Sequence, residues 1–132
     1  MSRWRRRALA DIPDLRQVIE EAPTVMSLWI ELYSALTAAY ESKPPDEEQV
    51  RQIYRHALWT LEESPGEDAR TAVVVAFFEH LPTHAAVRAD VHRWIQPDVF
   101  HGLQPVFKYF LSDQELEAFR VEYQQRRAAW LA

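Results

Sequence analysis

The chain has 132 residues, of which 48% are hydrophobic, and it contains no cysteine and only two glycines. That length fits one domain with a single hydrophobic core, because single domains commonly have roughly 100–150 residues. The lack of cysteine excludes disulfides and cysteine-based metal sites. The scarcity of glycine leaves little material for β-hairpin turns.

The formal net charge is −5, from 15 basic and 20 acidic side chains. Four of the basic side chains lie in the first seven positions, namely Arg3, Arg5, Arg6 and Arg7. Residues 8–132 therefore hold 11 basic and 20 acidic side chains, a balance of −9. With this excess of negative charge, residues 8–132 are expected to repel nucleic-acid phosphates and anionic lipid. The charge favours a basic partner or simply solubility. We expect neither a nucleic-acid nor a membrane partner.

Residues 1–10 are interpreted as a basic flexible N-terminal tail, and residues 11–132 as a single helical domain. No apolar stretch follows the arginines that is long enough for an export signal, because Asp11, Pro13 and Asp14 come first. No uncharged run approaches the roughly 18–20 residues that cross a bilayer. The sequence therefore predicts a soluble, cytoplasmic protein.

Apolar side chains recur at three- and four-residue spacing along most of the chain, which is typical of helices that pack on one face. Seven helices are predicted, over about residues 14–21, 25–41, 46–63, 67–81, 83–95, 98–110 and 112–129. The predicted N-terminal caps are Thr24, Asp46 with Gln49, Thr83, and Ser112 with Glu115. The proline before each new segment, or close to it, marks a boundary.

The predicted helix over residues 67–81 is apolar on nearly every face, which is typical of a buried central helix. Its run VVVAFF also fits a short buried strand, but helical neighbours on both sides favour a helix. Gly102 and Pro105 weaken the sixth helix, which we expect to be bent or partly 3₁₀. No internal repeat is found. The predicted fold is therefore all-α, an irregular bundle of about six or seven helices in one domain.

Histidines are the main candidates for chemistry. His80 and His84 are four residues apart, as two metal ligands on one helix face would be, but Pro82 lies between them and nothing supplies the usual third and fourth ligands. His92 and His101 are candidate general bases, yet neither has a recognisable nucleophile nearby. We therefore predict no catalytic residue, no metal site and no cofactor.

Carboxylates gather at the ends of the third and fourth predicted helices. The residues are Asp46, Glu47, Glu48, Glu62, Glu63, Glu67 and Asp68. The helix dipole accounts for carboxylates at a helix N-terminus, but it disfavours Glu62 and Glu63 at a C-terminus. If the two helices form an antiparallel hairpin, Glu62, Glu63, Glu67 and Asp68 meet at one end. We predict that these carboxylates bind a basic protein partner, because complementary charge speeds association.

Three stretches between Tyr54 and Tyr123 carry a resemblance: YRHALWTLEES, DARTAVVVAFFEHLP and FHGLQPVFKYFLSDQELEAF. Their order resembles a family of small, largely uncharacterised bacterial all-helical proteins of the immunity type, some encoded among toxin and immunity genes. The resemblance covers a little over half of the chain and includes no motif with known chemistry. It implies a cytoplasmic protein that neutralises a cognate toxin by binding it.

Three functional hypotheses follow. The first is a protein-binding module, an immunity-like or antitoxin-like protein that occludes a basic toxin and has no enzymatic activity. The second is a helical enzyme or a small-ligand or metal-binding protein, with the four histidines around a pocket lined by Trp59, Trp94 and Phe78. The third is a homodimer in which Trp4, Trp29 and Trp130 contribute to an exposed apolar patch.

Overall fold

The structure, a computed structural model, describes residues 1–63 and 66–132. These residues form eight α-helices and no β-strand. The helices are α1 (Arg3–Asp11), α2 (Arg16–Glu21), α3 (Val25–Glu41), α4 (Glu47–Glu63), α5 (Glu67–Ala76), α6 (Ala85–Trp94), α7 (Pro97–Phe107) and α8 (Asp113–Leu131). Two short 3₁₀ segments, Pro13–Leu15 and Phe78–Thr83, lie between them. The all-α prediction is confirmed, and the predicted count of six or seven helices is wrong because α1 was missed.

The chain divides into two compact units, residues 1–77 and residues 78–132. The first unit contains α1 to α5, and the second contains the longer 3₁₀ segment with α6, α7 and α8. Each unit has its own cluster of aromatic rings, described below. The assignment of residues 11–132 to a single domain stays a prediction.

The core of the first unit lies where α3, α4 and α5 pack against one another. Trp29 of α3 and Tyr54 of α4 both contact the ring of Phe77 edge-on, with ring centroids 5.3 and 5.7 Å apart. All three side chains are almost fully buried. Because each large ring removes on the order of 150–250 Å² of surface from water, this cluster fixes the arrangement of the three helices.

The core of the second unit is built from rings that α7 and α8 share, namely Phe100, Phe107, Phe119 and Tyr123. Phe107 meets Phe119 with centroids 5.2 Å apart, and Phe100 stacks on Tyr123. On another side, α8 packs closely against α6. The bulky rings therefore space α7 and α8, and this spacing creates the groove described in the next section.

The buried segment over residues 67–81 is not one helix. Helix α5 ends at Ala76, and a 3₁₀ segment runs from Phe78 to Thr83 with Pro82 inside it. A proline inside an α-helix lacks an N–H donor and clashes with the carbonyl four residues before it, here that of Phe78, so Pro82 disfavours an α-helix over residues 78–82. The break also allows the adjacent rings of Phe77 and Phe78 to be buried completely.

Most predicted caps are present. The Ser112–Glu115 capping box is confirmed, as is Thr24, whose hydroxyl accepts from the backbone N–H of Ser27. Asp46 also caps α4, by accepting from the N–H of Gln49 at 3.0 Å. The Thr83 cap is wrong, because the side chain of His84 accepts from the N–H of Val87 instead, and the Thr83 hydroxyl donates to the carbonyl of His80.

The N-terminal arginines lie in α1, where the sequence analysis placed a flexible tail. The guanidinium of Arg5 donates to the carbonyls of Ile19, Glu20 and Ala22 at 2.6, 3.0 and 2.9 Å. The last carbonyls of a helix have no partner within it and carry partial negative charge. Arg5 therefore caps the C-terminus of α2. The positive charge could be recognised from the sequence, but the backbone carbonyls of α2 that accept hydrogen bonds from Arg5 could not.

Candidate functional site

A groove of about 640 Å³ lies between α7 and α8 in the second unit. It is open to solvent. Its lining consists of Pro97, Phe100, His101 and Gln104 from α7, and Arg120, Tyr123, Gln124, Arg127 and Ala128 from α8. We call it the α7–α8 groove. Its volume lies within the roughly 300–1,000 Å³ of typical ligand sites, and its lining combines apolar carbons with a few polar groups, as such sites do.

The floor of the groove is a fixed pair of rings. Phe100 and Tyr123 stack with centroids 3.9 Å apart and planes 11° from parallel. The hydroxyl of Tyr123 donates to the backbone carbonyl of Ile95 at 2.6 Å. Burial of this phenol is the main reason that its pKa is raised above the usual value. Tyr123 is therefore a neutral, immobilised part of the floor, and its hydroxyl proton is already engaged by the carbonyl of Ile95.

Helix α8 forms one wall of the groove, and this wall carries two guanidinium groups with different partners. Arg120 forms a two-pronged ion pair with Glu117, one helical turn away. Arg127 donates to the backbone carbonyl of His92 at 2.9 Å, and no carboxylate among the described residues pairs with it. The guanidinium of Arg127 also lies 5.8 Å from the ring centroid of Trp130 and interacts with the hydroxyl of Tyr123, so it lines the groove without a carboxylate to balance its charge.

This groove was not predicted from the sequence. Its residues belong to α7 and α8, and at the sequence level Phe100 and Tyr123 read as ordinary apolar positions of two helices. Nothing in the spacing indicates that two rings stack and hold the helices apart. The one sequence-predicted candidate that lines the groove is His101.

The predicted acidic residues are all exposed, and they lie at the two ends of α4 and at the start of α5. Asp46, Glu47 and Glu48 are at its start, roughly 25 Å by helical rise from Glu62 and Glu63 at its end. Across the following connection, Glu67 and Asp68 begin α5. We call Glu62, Glu63, Glu67 and Asp68 the acidic cluster. Ser64 and Pro65, which join its two halves, lie outside the described residues.

The two ends of α4 differ in how their charge is compensated. Glu48 pairs with Arg51, and hydrogen bonds from Arg51 and Gln52 lower the pKa of its carboxyl to about 2. No member of the acidic cluster forms an ion pair with any described residue. Arg70 does donate to the carbonyl of Leu61 near the end of α4, which offsets part of the unfavourable dipole there.

The four candidate histidines have separate environments in the second unit. His80 packs on Phe110 with ring centroids 4.9 Å apart, and His84 caps α6. His92 is half-buried, and burial is the main reason that its pKa is lowered. His101 is exposed at the groove. In the part of the chain that the structure describes, no group of three or more His, Cys, Asp or Glu side chains is placed to hold a metal ion.

A buried polar network lies in the first unit and was also missed. His56 of α4 is 1% exposed and stacks between Trp29 and Trp59, with centroid distances of 5.4 and 5.8 Å. Its Nδ1 atom is 3.0 Å from Asp11, which also accepts from Arg7 at 3.0 Å. An imidazole enclosed by two indoles has no access to a substrate. The network therefore joins α1 to α4, and we assign it a structural role.

The tryptophans proposed for a homodimer patch are not equivalent. Trp29 is 1% exposed, so its place in that patch is wrong. Trp4 lies under the guanidinium of Arg5, which is 4.6 Å from the ring centroid. Trp130 is 49% exposed and is followed by Leu131, which is 64% exposed. Only the C-terminal end of α8 thus presents a proposed tryptophan beside another large exposed apolar side chain among the described residues.

Comparison with family models, with curated proteins and with solved structures finds no match to this chain. The resemblance to proteins of the immunity type therefore stays a prediction. Among the described residues, no helix combines the length and the apolar character that crossing a bilayer requires. The cytoplasmic location also stays a prediction.

Proposed function

We propose that this protein is a binding module that acts by docking onto another protein. The observation that carries this proposal is the α7–α8 groove, with its stacked Phe100–Tyr123 floor and, on its wall, the guanidinium of Arg127, which pairs with no carboxylate among the described residues. A rigid floor lowers the entropic cost of binding, because the site is formed before the partner arrives.

A protein segment suits this groove better than a small molecule does. Sites for small ligands commonly enclose 70–90% of the ligand surface, whereas this groove is open to solvent. The residues that follow Ala128 on the same helix include Trp130 and Leu131, both largely exposed. A peptide segment of a partner can fill the groove and cover these side chains as well, as in the recognition of segments by grooves between helices.

An immunity-type role, in which the protein occludes a cognate basic toxin, is the form of this proposal that the sequence favours. It is supported by the exposure of the acidic cluster and by the lack of ion pairs to it among the described residues. The packing of α1 weakens the electrostatic part of the argument. Residues 8–77 hold 5 basic and 13 acidic side chains, a balance of −8, and the four arginines of residues 1–7 reduce the balance of the first unit to −4.

The test is co-purification with the products of the neighbouring genes, repeated with two matched variants. Gln124→Trp fills the groove, and Gln125→Trp places the same ring on the next, exposed position outside it. We expect a specific partner to bind the wild-type protein and the Gln125→Trp variant, and to lose the Gln124→Trp variant. A partner that binds both variants equally would exclude the groove as the docking site.

A third variant separates the two surfaces. Replacing Glu62, Glu63, Glu67 and Asp68 with lysine reverses the charge of the acidic cluster and leaves the groove unchanged. If a basic toxin docks on the acidic cluster, this variant loses the partner and Gln124→Trp keeps it. If neither surface affects any partner and the neighbouring gene products do not bind, the proposed function is wrong.

A further inference from the structure

We infer that the α7–α8 groove recognises an acidic segment of the partner, in which a large apolar or aromatic side chain stands next to an Asp or Glu. This inference rests on the proposed function. The apolar side chain lies on the Phe100–Tyr123 floor, and the neighbouring carboxylate pairs with Arg127.

The charge of the groove supports an acidic occupant. Its lining contains Arg120 and Arg127 and no carboxylate. On α8, Glu117 is engaged by Arg120 and Glu122 by Arg88 and Arg126. Asp98 of α7 does not line the groove, although its charge helps to raise the pKa of Tyr123. Because Arg127 has no carboxylate partner among the described residues, a carboxylate from outside completes its charge. Such charge-assisted bonds are roughly twice as strong as neutral ones.

The geometry of α8 places the cation beside the apolar surface. Gln124, Arg127 and Ala128 are spaced three and four residues apart, so they share one face of the helix. The backbone carbonyl of His92 already holds one terminal nitrogen of Arg127, which restricts the rotamers of this long side chain before a ligand arrives. A fixed guanidinium next to a ring floor therefore selects for a carboxylate close to an apolar side chain, rather than for negative charge alone.

The volume favours more than one side chain. At about 640 Å³, the groove has room for a ring together with the adjacent carboxylate. The amides of Gln104 and Gln124 also line it, and they can pair with the backbone of a bound segment. A phosphate group would satisfy Arg127 equally well, but a nucleic acid brings many phosphates close to the other carboxylates of the chain, which repel them.

The test uses three labelled pentapeptides with blocked ends: Ala-Glu-Phe-Glu-Ala, the same peptide with Gln for Glu, and the same peptide with Ala for Phe. Binding is measured by fluorescence anisotropy with the full chain at low salt. We expect the first peptide to bind about tenfold more tightly than either of the others, which corresponds to one charged or one aromatic contact. Equal binding of all three would overturn the inference.

Matched variants locate the site. Arg127→Gln should weaken the first peptide about tenfold and leave the neutral peptide unchanged, whereas Arg126→Gln, which alters an exposed arginine outside the lining, should leave both unchanged. Since Arg127 also holds the end of α6, Gln124→Trp provides a second block that leaves that hydrogen bond intact. Peptide binding that survives both groove variants would overturn the inference.

A final comparison identifies the source of the carboxylate. N-acetyl-phenylalanine carries a ring and a carboxylate without a peptide segment. If it binds as tightly as the acidic peptide, the ligand is a small aromatic acid and the inference of a protein segment fails. If a partner requires the groove but the acidic and neutral peptides bind equally, the proposed function survives and this inference alone is wrong.

Discussion

The Nδ1 atom of His56 lies 3.0 Å from a carboxylate oxygen of Asp11, across 45 residues of sequence. Burial alone raises the pKa of Asp11, but hydrogen bonds and charges from His56 and Arg7 outweigh burial and hold this pKa below its usual range. An ionised carboxylate can only accept hydrogen bonds, so Nδ1 of His56 carries the proton. This bond fixes the orientation of the imidazole between its two tryptophans and holds α1 on α4.

Replacement of Asp11 should destabilise the protein. In Asp11→Ala, His56 and Arg7 both lose their acceptor, and the buried Nδ1–H is left without a partner. We expect the free energy of unfolding to fall by about 1–3 kcal/mol, measured by urea denaturation followed by circular dichroism. Asp14→Ala, at an exposed position three residues later, should change it by no more than about 0.5 kcal/mol.

The loss in free energy of unfolding that Asp11→Ala causes should depend on pH. The pKa of Asp11 is lower in the folded chain than in the unfolded chain, so its stabilisation is fully present above the unfolded pKa of about 3.9. It is lost as the pH falls through the folded pKa. The stability difference between wild type and variant should therefore shrink as the pH falls below about 4. A constant difference down to pH 2 would contradict this account.

Glu79 should show the opposite pH dependence. Its carboxyl is buried, and burial raises its pKa, with only partial opposition from the charge of His80. A raised folded pKa contributes stability below the unfolded pKa of about 4.3, and this contribution is lost as the pH rises through the folded value. Glu79→Gln has no charge to bury, so it should melt higher than wild type at pH 7.

The control for Glu79 is the same comparison in acid. Near pH 3.5 both side chains are neutral, and we expect the two melting temperatures to coincide. Glu31→Gln, at an exposed position of α3, should have little effect at either pH. A lower melting temperature for Glu79→Gln at pH 7 would indicate that the carboxylate has a stabilising partner.

Arg5 and Arg6 are adjacent arginines with different contacts. Arg5 donates to three carbonyls of another segment, at Ile19, Glu20 and Ala22, whereas the recorded bond of Arg6 is to Met1. Arg5→Ala should lower the free energy of unfolding by roughly 1–3 kcal/mol, since hydrogen bonds to a charged group exceed neutral ones. It should also speed amide hydrogen exchange in α2. Arg6→Ala should change neither quantity. Equal effects of the two variants would contradict the assignment of Arg5 as the C-terminal cap of α2.

The acidic cluster permits a paired test of the helix dipole. Glu62→Lys with Glu63→Lys places cations at the C-terminus of α4 and should raise the melting temperature. Glu67→Lys with Asp68→Lys places cations at the N-terminus of α5 and should lower it. If a partner docks here, the first double variant gains stability and loses binding, which is the trade-off expected of a functional surface. Equal shifts in both double variants would indicate that overall charge, not the dipole, decides stability.

The helix positions were largely predictable because their signals are local. The predicted caps at Thr24 and Ser112 each lie within one helical turn, and the apolar stripes of α3 and α4 repeat every three or four residues. The end of α5 was predicted five residues too late, because the apolar run continues to Leu81, directly before Pro82, and suggested one helix. Helix α1 was missed because a run of arginines suggests a solvent-exposed tail. The carbonyls of α2 that bind Arg5 are close to it only in the folded chain.

The candidate groove depends on contacts that sequence spacing does not encode. Phe100 and Tyr123 have the pattern of ordinary core residues, and their stacking is a consequence of where α7 and α8 lie. Likewise, only the fold distinguishes the adjacent arginines: Arg126 pairs with Glu122, whereas Arg127 bonds to the carbonyl of His92 and lines the groove. The exposed carboxylates were readable from sequence, because charge at helix ends is a local property.

The docking of α1 has a practical consequence for work with shortened versions of the chain. Arg3 and Arg7 lie 5.6 and 4.7 Å from the ring centroid of Trp59 and shield its indole. Removal of the first 11 residues would expose that indole to solvent, remove the Asp11 carboxylate that pairs with His56, and leave an exposed apolar patch. A truncated protein that lacks residues 1–11 should therefore aggregate more readily than the intact chain.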